Sequence, residues 1–253
     1  MLTALGSIAS QHAAPTEQTT EQVRQLLDYA ATHPAAIITY RASAMVLTVH
    51  SDASYLSEAK SRSRVGVHFF MTDDTAEPPN NGSVTTISRT IKAVMLSAAE
   101  AELCTLFINC REAVPARTTL KEMRHKQPPT PMQTYNTTVL GFVNNNIVSK
   151  KLKSMDVIIN WLCCREAQRQ FRHYWKPGPT NLGEYSTKHH AVIHHRTVRP
   201  TYLTPKKHLD LLRLKNQAME AAAEWTTKIL FVPHRMLTRY VTACCRQKQF
   251  RHI

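Results

Sequence analysis

The segment MVLTVHSDASYLSEAKSRSRVGVHFFMT, Met45 to Thr72, decides the fold. Its first ten residues read as an apolar strand ending near Asp52. Its last eight alternate Val65, Val67, Phe69 and Met71 with Gly66, His68, Phe70 and Thr72, the period-two pattern of a strand with two different faces. EPPNNGS, Glu77 to Ser83, supplies Pro and Asn-Gly turn chemistry before a further short strand, VTTIS. Three neighbouring antiparallel strands are therefore expected, with IITY, Ile37 to Tyr40, as another strand candidate just upstream.

Working outward, TTEQVRQLLDYAATHP sets Val23, Leu26, Leu27 and Ala30 at helical spacing, with Thr19 and Gln22 as a capping box and Pro34 as the stop. SAAEAELCTLFINCRE, from Ser97, is an alanine-rich helix. A QPPTP break, a strand at MQTY, a helix through KSMDVIINWLCCREAQ and a strand at QFRHYW follow. PGPTNLGEYSTKHH then leads into a short helix with Thr180 or Asn181 as cap, and KKHLDLLRLKNQAMEAAAEWTTKIL predicts a long helix beyond Pro205. This order gives an α/β fold, a mixed sheet flanked by helices with a helical tail. FMTDD, Phe70 to Asp74, reads as a turn at a strand exit.

The chain has 253 residues, 43% of them hydrophobic, and a formal net charge of +14, which predicts attraction to polyanions and above all to nucleic acid. Residues 150 to 253 carry 20 Lys and Arg against 6 Asp and Glu, so the basic surface belongs to the C-terminal part. Lys150, Lys151, Lys153, Arg165, Arg169, Arg172 and Lys176 are the candidates for phosphate contacts. The six cysteines form no C-x-x-C pair, which excludes a zinc knuckle. No apolar run is long enough to span a membrane and the first residues lack a secretory pattern, so an intracellular protein of cytoplasm or nucleus is expected.

Two acids stand out. Asp52 is a charge in an apolar strand, and turn chemistry is a sufficient reading of it alone. Glu100 is explained by the capping box Ser97-x-x-Glu100. Glu102 lies in line with Met95, Ala98, Ala99 and Leu106, a face that meets the sheet. A carboxylate there, near Asp52, points to a Mg²⁺ or Mn²⁺ site, with a structural ion pair as the rival reading. His189, His190, His194 and His195 contain an i, i+4 pair with transition-metal spacing, for which a solvated face is the simpler account. Trp161, Phe171, Tyr174 and Trp175 could stack on bases, with core packing as their ordinary use.

Several blocks in order, VHSDASYLSEAKSRSRVGVHFF, ISRTIKAVMLSAAEAELCTLFINCREA, QTYNTTVLGFVNN, KSMDVIINWLCCREAQRQFRHYWKPGPTNLGEYSTKHH and RPTYLT, closely resemble the ribonuclease H region of copia-type LTR retrotransposon polyproteins. The resemblance runs from about Thr19 to Thr204. It implies a ribonuclease H-like domain over residues 35–204, preceded by a helical segment, 1–34, joining from a reverse transcriptase, and followed by a basic tail, 205–253. It further implies a five-stranded sheet and four carboxylates holding two divalent cations, which hydrolyse the RNA strand of an RNA/DNA hybrid. By that resemblance the first acid is Asp52 and the second Glu102. The third, an Asp in Q-T-D-N, falls on Tyr135, and the fourth, an Asp in N-L-x-D-Y, falls on Glu184. A phenol is neutral at pH 7 and a poor cation ligand, so the implied activity is weakened or lost. Val67 stands where the resemblance has a glycine.

Overall fold

The computed structural model describes residues 1–144, 155–204 and 216–220. The chain divides into two units, Met1–Leu203 and Thr204–Ile253. Of the second, Thr204 and the helical residues 216–220 are described, so most of the long helix expected beyond Pro205 lies outside the described residues.

The first unit opens with helices α1 (Leu2–Ser10) and α2 (Glu17–Thr32). Strands β1 (Val46–Glu58), β2 (Arg62–Thr72) and β3 (Ser83–Thr90) follow, and then the long helix α3 (Ala98–Glu122). Strand β4 (Thr130–Thr134), helices α4 (Thr137–Val143) and α5 (Asp156–Ala167), strand β5 (Phe171–Trp175) and helix α6 (Val192–Tyr202) complete it. The sheet order is β3-β2-β1-β4-β5. β1 pairs antiparallel with β2, and β2 with β3, while β4 joins β1 and β5 joins β4 in parallel. Three antiparallel strands followed by two parallel ones, each reached through helices, match the expected architecture. The fold is ribonuclease H-like.

The period-two reading of β2 is realised as two covered faces. Val65, Val67 and Phe69 enter the core with Leu47, Val49, Leu103, Leu106 and Cys110, where α3 lies across β1. Val67 is fully buried there. On the opposite face His68 meets Tyr202 edge to face at 5.4 Å and His50 meets Phe70 at 5.0 Å. Burial pushes His50 down to about 3 and His68 to about 4, so both rings are neutral parts of the packing.

Several local expectations change. IITY forms an isolated bridge at Ile37 rather than a strand. The cap of α2 is Thr16, whose hydroxyl accepts from Thr19 N while Thr19 Oγ1 accepts from Thr16 N, so the capping box lies three residues earlier than read. β1 continues six residues beyond Asp52, which is therefore mid-strand opposite Gly66 rather than at a strand end. α3 runs ten residues past Glu112, through Pro115. After Pro177 come two single 3₁₀ turns, Gly178–Thr180 and Glu184–Ser186, and α6 begins only at Val192. Asp73 behaves as turn chemistry: its carboxylate accepts from Ala44 N at 2.7 Å. Phe171 is core, Trp161 packs edge to face on Phe107, and Trp175 is exposed with its indole N–H on Tyr135 O. Cys104, Cys110 and Cys164 are free thiols.

Candidate functional site

Asp52 enters the site from β1 with its side chain fully buried. The β1–β4 register, His50 level with Gln133, extends two residues to place Tyr135 level with Asp52, just past the end of β4. Glu102 descends from the first turns of α3 and accepts a hydrogen bond from Ala53 N at 3.1 Å. Glu100, its neighbour but one, stays at the helix start, where its carboxylate accepts from Leu96 N at 2.8 Å and its own N–H reaches Ser97 Oγ at 3.2 Å. That is the structural role its capping pattern predicted.

The fourth position arrives on the loop Asn181–Thr187, which is built against the site strand. Asn181 Nδ2 donates to Ser51 O at 2.6 Å, Leu182 N donates to His50 Nδ1 at 3.2 Å, and Tyr202 OH donates to Leu182 O at 2.6 Å. Gly66 and Gly183 permit the approach. A Cβ on Gly66 would lie 2.3 Å from Thr187 Cγ2, and one on Gly183 would lie 2.9 Å from His50 O. The loop carries Thr187, whose hydroxyl donates to Asp52 Oδ2 at 2.6 Å, and Glu184, whose carboxylate accepts from Lys188 Nζ at 2.9 Å.

Asp52, Glu102, Tyr135 and Glu184, four positions from distant parts of the chain, thus come within electrostatic reach of one another at one end of the sheet. Burial, opposed by the Thr187 hydrogen bond and reinforced by Glu184, pushes Asp52 up to about 7. Burial and the Asp52 charge push Glu102 up to about 8. Two carboxyl groups taken out of water side by side favour sharing a proton over full ionisation. The Tyr135 hydroxyl faces Glu102 as a hydrogen-bond donor, and burial next to these acids raises its pKa well above the ordinary phenol value.

A pair of divalent cations requires several ionised oxygens around a shared point. Asp52 Oδ1 is buried with no partner and is an open ligand atom. The other positions do not complete a set: Tyr135 presents a phenol in place of a carboxylate, and Glu184 is paired with the Lys188 ammonium group at 2.9 Å. Among the described residues no group of three or more His, Cys, Asp or Glu is placed to hold a metal ion. The residues present therefore do not fit the two-cation arrangement that the resemblance implied. The same holds for the histidines, where His190 and His194 stack ring on ring at 4.5 Å instead of converging through their nitrogens.

The basic candidates divide. Lys150, Lys151 and Lys153 lie outside the described residues. Arg165 lies over the Trp161 ring at 4.9 Å and donates to Gln170. Arg172 donates to Thr75 O at 3.3 Å, and Lys176 pairs with Glu77 at 3.2 Å. Arg169 is exposed, in a left-handed backbone conformation with φ 54°. Thr187 and Lys188 were not singled out as site residues from sequence. The signal for Lys188 was its place four residues after Glu184, whereas Thr187 becomes visible only once Gly66 is seen to face it.

Comparisons with known proteins give likeness to solved structures only. No family model matches the chain, and no curated protein matches it. The N-terminal ribonuclease H domain of Rv2228c from Mycobacterium tuberculosis, solved as a fusion with maltose-binding protein, is 13% identical, with 56% of this chain and 91% of that chain covered and a TM-score of 0.39. LC11-RNase H1 in complex with an RNA/DNA hybrid is 11% identical, with 56% and 93% covered and a TM-score of 0.39. The prototype foamy virus protease–reverse transcriptase is 14% identical, with 56% of this chain and 18% of that chain covered and a TM-score of 0.33. Among the described residues no helix is long and apolar enough to cross a membrane.

Proposed function

We propose that this chain is a ribonuclease H-like domain of copia-type retrotransposon ancestry that engages RNA/DNA hybrid, and whose hydrolysis of the RNA strand is weakened or lost. One observation carries the reading: Tyr135, level with Asp52, turns a phenol O–H toward Glu102 at the position where the resemblance requires an ionised acid. Donor replaces acceptor there, so the site gains an internal hydrogen bond and lacks a ligand oxygen. Glu184 retains a carboxylate but commits it to Lys188. What remains is a buried acidic pair under a sheet end, in a protein whose net positive charge favours a polyanionic duplex.

The test is a cleavage and binding assay on labelled RNA/DNA hybrid in Mg²⁺ or Mn²⁺, with the native chain, Tyr135→Asp and Asp52→Asn. The native chain is expected to hold the hybrid with little or no cutting. Tyr135→Asp should restore measurable cutting, and Asp52→Asn should show none. Cutting by the native chain that survives Asp52→Asn would remove the site assignment. Binding by every variant with no cutting by any would favour a purely nucleic-acid-binding remnant, with the basic C-terminal half as its contact surface.

A further inference from the structure

The helices α1 and α2 precede the sheet in the chain, yet each is bonded toward the loop Asn181–Thr187, which carries two side chains of the acid site. From α1, the buried Thr3 donates its hydroxyl to Ser186 O at 3.1 Å. The same carbonyl accepts from Ser88 Oγ on β3 at 2.7 Å, and Ser88 Oγ in turn accepts from the Arg64 guanidinium on β2 at 3.1 Å. Both lone pairs of Ser186 O are thus committed, one to the sheet and one to α1.

From α2 the route runs through one imidazole on α6. Tyr29 OH is bonded to His195 Nε2 at 2.9 Å, and Tyr185 OH is bonded to Nδ1 of the same ring. Burial, reinforced by the Met1 ammonium and Arg199, holds the His195 pKa below the usual imidazole value, so the ring is neutral near pH 7. In a neutral imidazole one nitrogen donates and the other accepts. A tyrosine hydroxyl can do either, so both bonds form with either tautomer. His195 therefore ties α2 to the residue that lies between Glu184 and Ser186.

The start of the loop is fastened separately, by Asn181 and Leu182 to β1 and by Tyr202 to Leu182 O. Its second half, where Thr187 meets Asp52, has the two routes from α1 and α2. A cleft of about 630 Å³, walled by Ile8, Leu26 and Tyr29, lies between these helices and the lead-in to α6. A contact that rests on a few bonds around an open cleft is sensitive to each of them.

We propose that α1 and α2 brace the acid site: Thr3, and Tyr29 acting through His195, are positioning residues that hold Tyr185 and Ser186 and so keep Thr187 on Asp52 and Glu184 on Lys188. They act through the loop rather than on the carboxyl groups. The N-terminal helices are on this account part of the support of the site and not only a join to it. Displacing α2 from His195 loosens the loop. The inference stands on the geometry of the loop and does not require bound hybrid.

The test is hydrogen–deuterium exchange of the free, full chain, read at the amides of Gly183, Glu184, Ser186 and Thr187, each hydrogen-bonded within the loop, with β1 and β2 as the internal reference. Thr3→Val removes the α1 hydroxyl at nearly constant shape, and Tyr29→Phe removes the α2 hydroxyl and keeps the ring. Each is expected to speed exchange at the loop about fivefold while exchange in β1 and β2 stays native. Thr3→Ser keeps the hydroxyl and should exchange like the native chain. His195→Phe removes both nitrogens and should match or exceed Tyr29→Phe. Unchanged loop exchange in Thr3→Val or in Tyr29→Phe overturns the proposal for that helix. An equal rise in loop and sheet, the mark of general destabilisation, or equal acceleration by Thr3→Ser and Thr3→Val, overturns it as well. No nucleic acid enters the measurement, so a failure of hybrid binding bears on the preceding reading alone.

Discussion

At the scale of single residues the chemistry turns on where a proton resides. Asp52 and Glu102 are both almost wholly buried, and in each the carboxyl pKa is raised from near 4 to about 7 or 8, desolvation being the first cause. The sign of the consequence follows from linkage. Between the unfolded and folded pKa values the native state binds more protons than the unfolded chain, so stability declines as pH rises from about 4 to about 8 and levels off above. Glu102→Gln removes one ionisation while it preserves shape and an acceptor for Ala53 N. The melting temperature of the variant should therefore fall less steeply over that pH range than that of the native chain. A variant with an unchanged slope would show that Glu102 ionises freely in the folded protein. Tyr135 and Glu184 were identified by residue type and order in the chain. Their mutual approach, and the Thr187 hydroxyl on Asp52, depend on a loop whose path no local pattern specifies.

At the scale of elements, what binary patterning predicts best is the pair β1 and β2, because a strand buried on both faces is long, apolar and β-branched. Patterning fails at α3, which a propensity argument ends before Pro115. Proline removes one backbone donor and crowds the carbonyl four residues back. Here the ring is on the exposed side, and the helix is held from below on both flanks of it. Ala113 and Leu120 are buried, and the buried Arg117 donates to Pro128 O, Thr130 Oγ1 and Gln127 O. Tertiary bonds override a local breaker. Pro115→Ala, on an exposed position with no packing to lose, is expected to stabilise the fold by about 1 to 3 kcal/mol in chemical denaturation. Destabilisation would mean that Pro115 itself supports the Arg117 contacts. Elsewhere, Gln127 ties strand to loop through Leu47 N at 3.1 Å and Met45 O at 2.7 Å, a long-range bond that spacing does not announce.

At the scale of the whole molecule, a net charge of +14 concentrated toward the C-terminal part predicts how the proposed binding of hybrid responds to salt. If hybrid is held mainly through phosphates, each contact releases counterions, and the logarithm of the association constant should fall linearly with the logarithm of salt concentration, with a slope of roughly −0.9 per phosphate neutralised. Filter-binding titrations at increasing salt give that slope, and a flat line would place the affinity outside electrostatics. The sequence by itself determined the succession of strands and helices along the chain, the long helix after β3 and the basic balance, and the resemblance supplied the four site positions. The first three follow from periodicity and composition, which are local properties of the chain. The tertiary structure alone decided that Asp52 is mid-strand, that Gly66 makes room for Thr187 and that Glu184 is neutralised by Lys188. It also decided that two carboxyl groups are buried side by side, which raises the pKa of both. Each of these is a contact between residues far apart in sequence, and desolvation depends on every atom that closes over a group rather than on its neighbours along the chain.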